Sequence, residues 1–351
     1  MERFPYPQQI LAFIDAPDPD NFVMLLALAR RFPTADLHVI LTGRPIRLNA
    51  NRQTPVWDWD TVSSRKAQEA SAARAKNFMK WFGVRIPRIY DGGIAPRTLV
   101  PHHVHFAEYY QFNDLDWLDA TRFSELEPME DLIKEVLKWD DRSTAVVVGG
   151  PMTGLNQMIT RCPEVVSRFA EIHAMFATWG NVTLMDMGAP RGAKQFNVAC
   201  DPQAAYNILM GMTCPIYLMP TEVTRVAEIG FQNAQELKNA LPTTQGVRAL
   251  YNLYALWYDA AVKPRQDKDP NEKIFIHDVV GSFSLDPELR QSIYEIVPVE
   301  ISSVPHLPKD TKDWGEVKMR KTDQPTNVFA ATRIIEGGAE KYLKALYNLF
   351  V

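Results

Sequence analysis

The sequence predicts a doubly wound α/β fold with a mainly parallel sheet and helices on both faces. Short apolar or β-branched runs alternate with longer helical segments along most of the chain. The first such unit is strand, turn, helix, strand, which is the βαβ unit of a parallel sheet. No internal repeat or interdomain linker interrupts the 351 residues. The alternation therefore favours one layered sheet over separate helical and strand domains.

The first unit extends from residue 10 to residue 43. Residues 10–15, ILAFID, form an apolar run that predicts a buried strand. The strand ends in DAPDPDN because Pro17 and Pro19 have fixed φ and no amide hydrogen to donate. Residues 21–32, NFVMLLALARRF, have the length and apolar content of a buried helix. Residues 37–43, LHVILTG, predict the second strand.

The alternation then continues toward the C-terminal third. Residues 60–83 predict an amphipathic helix with an Ala-rich face that stops at Gly83. Three polar stretches, at residues 45–62, 100–125 and 304–326, predict long loops, which in compact domains are functional or disordered. The other predicted segments are a strand at 87–93, a helix at 129–139, a strand at 144–151, a helix or loop and then a strand at 162–178, a helix at 201–211, a strand at 214–220 and a strand at 273–278.

Composition excludes several classes of protein. Hydrophobic residues make up 46% and charged residues 23%, which excludes whole-chain disorder, collagen and coiled coil. The net charge of -4 gives no basic excess for nucleic-acid binding. No apolar stretch approaches the roughly 20 residues that span a bilayer, and the N-terminus lacks the pattern of a signal peptide. Three cysteines are too few for a disulfide framework. We therefore expect a cytoplasmic protein with no nucleic-acid or membrane partner.

Acidic and amide side chains concentrate where the first strand ends. Asp15, Asp18, Asp20 and Asn21 fall within seven residues. Such a density of oxygen atoms suits a hard cation such as Ca²⁺ or Mg²⁺. A turn followed by a helix N-cap explains the same residue types, so the spacing leaves both interpretations open. His277 and Asp278 close the strand predicted at 273–278, and ligands collect at such strand ends in open parallel sheets.

Four segments, in order, resemble the inosine–uridine nucleoside hydrolase family. DAPDPDNFVMLLAL is similar to its Asp-rich strand-to-helix motif, and GGPMTGLNQMITRCPEV resembles its GPLTNLA segment. QFNVACDPQAAYNIL resembles EFNxxxDPEAAxxVL and is the most specific match. IFIHDVVGSFSLDPEL resembles HDPLAxxxxLDPEL. The resemblance spans almost the whole chain and implies a single domain over residues 1–351, with an inserted loop at about 45–62.

The resemblance implies hydrolysis of the N-glycosidic bond of nucleosides, with a bound Ca²⁺, in nucleoside salvage. The transition state of such a reaction is oxocarbenium-like, so it requires negative charge and held hydroxyls near the ribose. A hard cation can chelate vicinal hydroxyls and orient the attacking water, and a carboxylate can take a proton from that water. A small-molecule nucleoside or nucleotide is then the expected partner. A homodimer or homotetramer is implied by the resemblance alone.

The same resemblance assigns roles to individual residues. The metal site would include Asp20, the Thr153 carbonyl and Asp278, and Asn21 stands where the family has an aspartate. Asp15 is the favoured general base and a further metal ligand, with Asp18 as the second choice. His277 would protonate the leaving base. The ribose would contact Asn197 and also Gln195, which stands where the family has a glutamate.

Departures from the family pattern concern the substrate. Arg44 stands where the family has an asparagine, and it would bind a phosphorylated or acidic substrate or form a salt bridge. Trp57, with Trp59, would cover the base or anchor the inserted loop. His105, with His103, would line the base pocket or lie on the surface. The family's Gly-Asn pair matches either Gly180-Asn181 or, with better spacing, Gly188-Ala189, which lacks the amide.

Three hypotheses about function follow. The first is a nucleoside hydrolase. The second keeps the scaffold but takes a nucleotide or modified nucleoside, and Arg44, Gln195 and the Trp loop motivate it. The third is a non-catalytic nucleoside-binding relative, motivated by the neutral Asn21 and Gln195.

Overall fold

A nine-stranded sheet organises the protein in the computed structural model, which describes residues 7–15, 19–43, 61–96, 124–179, 195–242, 244–258, 262–266, 272–307 and 315–351. The strands are β1 (Gln9–Asp15), β2 (Asp36–Gly43), β3 (Arg88–Ile94), β4 (Thr144–Val148), β5 (Phe169–Met175), β6 (Ile216–Met219), β7 (Tyr294–Ser303), β8 (Lys318–Lys321) and β9 (Val328–Ile334). Their order across the sheet is β3-β2-β1-β4-β5-β6-β9-β7-β8.

Helices connect most of these strands. They are α1 (Pro19–Arg31), α2 (Thr61–Trp81), α3 (Met129–Val136), α4 (Thr153–Arg161), α5 (Phe196–Cys200), α6 (Pro202–Gly211), α7 (Thr221–Thr224), α8 (Ala234–Ala240), α9 (Gln245–Trp257), α10 (Lys263–Gln266), α11 (Val279–Leu285), α12 (Pro287–Ile293) and α13 (Gly338–Tyr347). Short 3-10 segments cover Pro163–Arg168 and Ala227–Ile229. In the part of the chain that the structure describes, no helix has the length and apolar character that crossing a bilayer requires.

The strand order fixes where a ligand site can form. Strands β1 to β6 and β9 pair in parallel, whereas β7 pairs antiparallel with β9 and with β8. The order β3-β2-β1-β4-β5-β6 reverses between β1 and β4, so the switch point of this doubly wound sheet lies there. The crevice outside the carboxyl ends of β1 and β4 is therefore the expected binding position.

Buried residues cover both faces of the sheet. Along β1, Ile10, Ala12 and Ile14 belong to one apolar cluster, and Leu11 and Phe13 belong to a second. Successive side chains of a strand point to opposite faces, so the two clusters lie on opposite sides. The fold predicted from the sequence, a mainly parallel sheet with helices on both faces, is confirmed.

Two Asp-Pro pairs start helices in the same way. Asp201 Oδ1 accepts a hydrogen bond from the Ala204 amide (3.0 Å) at the start of α6. Asp286 Oδ1 accepts one from the Glu288 amide (2.8 Å) at the start of α12. An aspartate at the N-cap satisfies an amide that has no partner within the helix, and proline fits the first helical position. These pairs explain why helices begin where the sequence motifs place them.

Two sequence predictions were wrong. Residues 273–278 are not a strand, since Ile274 forms only an isolated bridge with Phe231. The place beside β6 in the sheet is taken by β9, and Asp278 leads directly into α11. Conversely, β8 lies inside the stretch predicted as a loop at 304–326. Its residues are mostly exposed, so the apolar pattern that marks a strand is missing. The predicted insertion lies outside the described residues, apart from residues 61 and 62, which begin α2.

Candidate active site

The carboxyl end of β1 carries a buried pair of side chains. Asp15 is 1% exposed and Asn21, in the first turn of α1, is 0% exposed. Asn21 Nδ2 donates to the Asp15 backbone oxygen (3.0 Å) and to Asp15 Oδ1 (2.8 Å). Both partners are acceptors, so they fix the orientation of the amide. Asn21 Oδ1 has no hydrogen-bond partner among the described residues. A buried, unsatisfied carbonyl oxygen is costly, which suggests a ligand or cation at this point.

The turn after β4 packs directly against this pair. A side chain at Gly149 would place its Cβ 2.6 Å from Asn21 Oδ1 and 3.2 Å from Asp278 Cβ. A side chain at Gly150 would place its Cβ 2.8 Å from Asp15 Cβ. The Gly-Gly end of the strand therefore allows the backbone to approach three polar side chains. Asp15, Asn21 and Asp278 are brought together around this turn, at the switch point of the sheet.

Asp278 lies at the start of α11 and is 4% exposed. Its side chain makes no capping hydrogen bond to the helix, although aspartate is a favoured cap. Burial raises the pKa of Tyr342, and the charges of Tyr294, Asp20 and Asp278 raise it further. Both carboxylates therefore lie within electrostatic reach of one phenol. The assignment of Asp20 and Asp278 to one metal site stays a prediction.

His277 is held by a threonine of α7. Thr224 Oγ1 lies 2.7 Å from His277 Nδ1 and 3.1 Å from the Thr221 carbonyl oxygen, to which it donates. A hydroxyl has one hydrogen, so Nδ1 of the histidine is the donor in the contact between them. In the neutral ring Nε2 is then the basic nitrogen, and in the protonated ring it is a second donor. This arrangement suits a group that transfers a proton through Nε2.

Two predicted sugar contacts serve the backbone in this structure. Asn197 Nδ2 donates to the carbonyl oxygens of Gly149 (3.1 Å) and Met175 (3.3 Å). With its amide hydrogens directed there, Asn197 can offer a ligand only an acceptor, Oδ1. Gln195 Oε1 accepts from the Val198 amide (2.8 Å) and caps α5. The role of Gln195 in substrate binding stays a prediction.

Thr153 begins α4, just beyond the Gly-Gly turn. Its hydroxyl donates to Asp201 Oδ2 (2.7 Å), and both residues are buried. Sequence reasoning assigned Asp201 no functional role. The available signal was its position within the most specific family motif, six residues after Gln195.

Other predicted residues lie outside the described part of the chain. They are Asp18, Arg44, Trp57, Trp59, His103, His105, Gly180, Asn181, Gly188 and Ala189. Within the described ranges there is no group of three or more His, Cys, Asp or Glu side chains that could hold a metal ion. A cation here would need mixed oxygen ligands. The carboxylates of Asp15 and Asp278 with the amide oxygen of Asn21 fit such a set, since Ca²⁺ accepts carboxylate and carbonyl oxygens alike.

Comparison with known proteins identifies the family. A sequence model of the inosine-uridine preferring nucleoside hydrolases matches residues 61–338. The chain belongs to this family. The match confirms the resemblance found in the sequence motifs. No curated protein sequence matches the chain.

Several solved structures share the fold of this chain. The purine-preferring ribonucleoside hydrolase from Gardnerella vaginalis has a TM-score of 0.67 and 14% identity, covering 97% of this chain and 98% of that one. The plant nucleoside hydrolase PpNRh1 has a TM-score of 0.66 and 16% identity, covering 98% and 99%. The type III effector protein XopQ, solved complexed with adenosine diphosphate ribose, has a TM-score of 0.64 and 14% identity, covering 99% and 96%. At such low identity this chain is a divergent member of the nucleoside hydrolase family.

Proposed function

We propose that the protein hydrolyses the N-glycosidic bond of a nucleoside and releases ribose and the free base. The observation that carries the proposal is the buried Asp15–Asn21 pair, which faces Asp278 across the Gly149-Gly150 turn at the switch point. This position supports a ligand site. The chain's family and the enzymes that share its fold support this reaction.

Asp15 is the proposed general base. Asn21 Nδ2 holds Asp15 Oδ1, so the carboxylate has a fixed orientation at the end of β1. It takes the proton from the attacking water as the bond between ribose and base breaks. Asn197 Oδ1 accepts a hydrogen bond from a ribose hydroxyl. His277, with its ring protonated, donates a hydrogen bond or proton from Nε2 to the departing base and becomes neutral on proton transfer, and Thr224 keeps its Nδ1 occupied.

Calcium is the proposed metal. Asp15, Asp20, Asn21 Oδ1, the Thr153 carbonyl and Asp278 would hold it. When bound, calcium supplies a positive charge that orients vicinal ribose hydroxyls and the water. The buried Asn21 oxygen supports this assignment, because it has no hydrogen-bond partner among the described residues. A neutral amide in place of a carboxylate should weaken calcium binding relative to an all-aspartate site.

Asn21→Asp should make the protein depend on calcium for stability. Without metal, two carboxylates would face each other and the two Asn21 hydrogen bonds to Asp15 would be lost. We expect the free energy of unfolding to fall by about 2 kcal/mol. With calcium, the added charge should give a larger rise in Tm than in the wild type. Thermal unfolding in chelator and in calcium measures both effects.

Asn207→Asp is the control for that substitution. Asn207 is an exposed asparagine of α6 that contacts Asn156. It should change neither the calcium-free Tm nor the calcium response. An Asn21→Asp protein whose Tm rises no more with calcium than that of the wild type would contradict the assignment of Asn21 as a calcium ligand.

The function is tested by measuring base release from a panel of purine and pyrimidine nucleosides. We expect release of the free base from at least one nucleoside, and loss of that activity in chelator with recovery on adding calcium. No turnover of any nucleoside at high enzyme concentration would contradict the proposal. Turnover that is insensitive to chelator would contradict the calcium assignment alone.

A second candidate is binding or cleavage of a nucleotide. The complex of XopQ with adenosine diphosphate ribose shows that a protein of this fold accommodates a diphosphate-linked ribose. The neutral Gln195, which caps α5, and Arg44 point the same way. Preference for a nucleoside 5′-monophosphate that vanishes in Arg44→Ala would support nucleotide cleavage. Retained ligand and calcium binding without base release would support a binding protein.

The last part of the proposal concerns the cellular location and the oligomeric state of the protein. We expect a cytoplasmic location from the sequence pattern, and the family resemblance implies a homodimer or homotetramer. Light scattering coupled to size-exclusion chromatography tests the assembly, and a mass of 39.9 kDa in solution would contradict it.

A further inference from the structure

We propose that Asp201 is a positioning residue for the calcium site, acting through the hydroxyl of Thr153. The proposal rests on the proposed function, since it assumes that the Thr153 carbonyl faces the cation. The Asp201 carboxylate accepts from Thr153 Oγ1 at 2.7 Å through Oδ2 and from the Ala204 amide at 3.0 Å through Oδ1. Asp201 is 7% exposed and Thr153 is 4% exposed. One buried carboxylate therefore joins the first residue of α4 to the N-terminus of α6.

The segment around Asp201 holds the Gly-Gly turn at both ends. Asn197, four residues earlier, donates to the Gly149 carbonyl oxygen (3.1 Å). Asp201 binds Thr153, four residues after Gly149. The turn between these two contacts packs against Asp15 and Asn21. Residues that orient the ligands of a metal tune its affinity without touching it, and the Asp201–Thr153 contact has this geometry.

Capping of α6 uses only Oδ1 of Asp201, so it does not explain why Oδ2 binds the Thr153 hydroxyl. Asp286 begins α12 with the same Asp-Pro arrangement, and its Oδ2 pairs with Arg31 of α1. That pair joins α12 to the last residue of α1, at the opposite end of this helix from Asp20 and Asn21. Helices α4 and α6 also have a separate, exposed contact, from Asn207 Nδ2 to Asn156 Oδ1 (3.0 Å). The buried link to Thr153 is therefore directed at the turn, where the proposed ligands lie.

The experiment measures calcium affinity by isothermal titration calorimetry. Thr153→Val removes the hydroxyl but keeps the backbone carbonyl, and Asp201→Ser keeps a good N-cap but is too short to reach Thr153. We expect each to weaken calcium binding about 10-fold, because residues behind metal ligands contribute effects of this size. Thr153→Ser keeps the hydroxyl and should restore wild-type affinity. The double variant should bind calcium about 10-fold more weakly than the wild type, and not about 100-fold, because the two changes remove the same contact.

Two controls separate positioning from general stability. Asp286→Ser removes the equivalent contact at α12, and Asn207→Ala removes the exposed contact between α4 and α6. Either variant can lower Tm, but both should leave the calcium affinity unchanged. Unchanged affinity in Thr153→Val and Asp201→Ser, with calcium bound by the wild type, would overturn the positioning role alone. If Asp286→Ser weakened calcium binding as much as Asp201→Ser does, the positioning role would be overturned too. A wild-type protein that binds no calcium would overturn this proposal and the calcium assignment together.

Discussion

Asp15→Asn lowers kcat for nucleoside hydrolysis by about 10³-fold, which is the middle of the range for general acid–base catalysis. The amide cannot take a proton from water. The substitution should leave the fold intact, because an asparagine at position 15 still offers an oxygen to Asn21 Nδ2, as Asp15 Oδ1 does at 2.8 Å. Tm should therefore change little while kcat falls. Steady-state kinetics on the best nucleoside of the panel, beside thermal unfolding, measure both.

Asp36→Asn is the matched control. Asp36 begins the neighbouring strand β2, at the opposite end of the sheet, and its side chain is 46% exposed. This variant should retain wild-type kcat. An Asp15→Asn enzyme within a few-fold of wild type would contradict the assignment of the base. Loss of activity in Asp18→Asn alone would transfer the role to Asp18.

Gly150→Ala should lower kcat about 100-fold, since misplacing a catalytic group by about 1 Å costs that much. The added Cβ would lie 2.8 Å from the backbone nitrogen of Asp15 and 3.0 Å from its Cγ. Real Cβ atoms are not found so close to other heavy atoms, so the Asp15 carboxylate or the turn must move. The substitution alters no group that reacts. A fall in kcat would therefore report the position of Asp15.

Gly211→Ala is the control for that substitution. Among the described residues, no heavy atom outside its chain neighbours and the backbone of its own helix lies within 4 Å of the Cβ that it would add at the end of α6. We expect unchanged kcat and a Tm equal to or slightly above that of the wild type, since alanine favours a helix over glycine. Wild-type kcat in Gly150→Ala would show that the turn does not pack closely against Asp15 during catalysis. It would therefore contradict the site geometry.

The sequence predicted the alternating layers because buried parallel strands are apolar throughout and their helices are long. It failed at residues 273–278, where IFI has the apolar character of a strand but only Ile274 pairs, with Phe231. A short apolar run is ambiguous, because its neighbours in space decide whether it joins the sheet. It failed at β8 for the opposite reason, since exposed Lys and Arg residues hide an edge strand.

The candidate site was predicted in part. The polar strand end at Asp15 and Asn21, and Asp278 after an apolar run, stand out in the sequence. The direction of the Asn21 amide cannot be read from the sequence, because it depends on two acceptors of Asp15 in the folded chain. The Asp201–Thr153 contact joins residues 48 positions apart and requires the packing of α4 against α6. Contacts of this kind follow from tertiary structure and leave no local pattern.

We propose that one site at the ends of β1 and β4 holds both a cation and the ribose. A crystal structure with calcium and ribose, using anomalous density to locate the metal, tests it most directly. We predict a cation in contact with Asn21 Oδ1 and Asp278, coordinated by two ribose hydroxyls, one of which also donates to Asn197 Oδ1. A cation or ribose bound elsewhere, with Asn21 Oδ1 satisfied by another protein group, would contradict the claim.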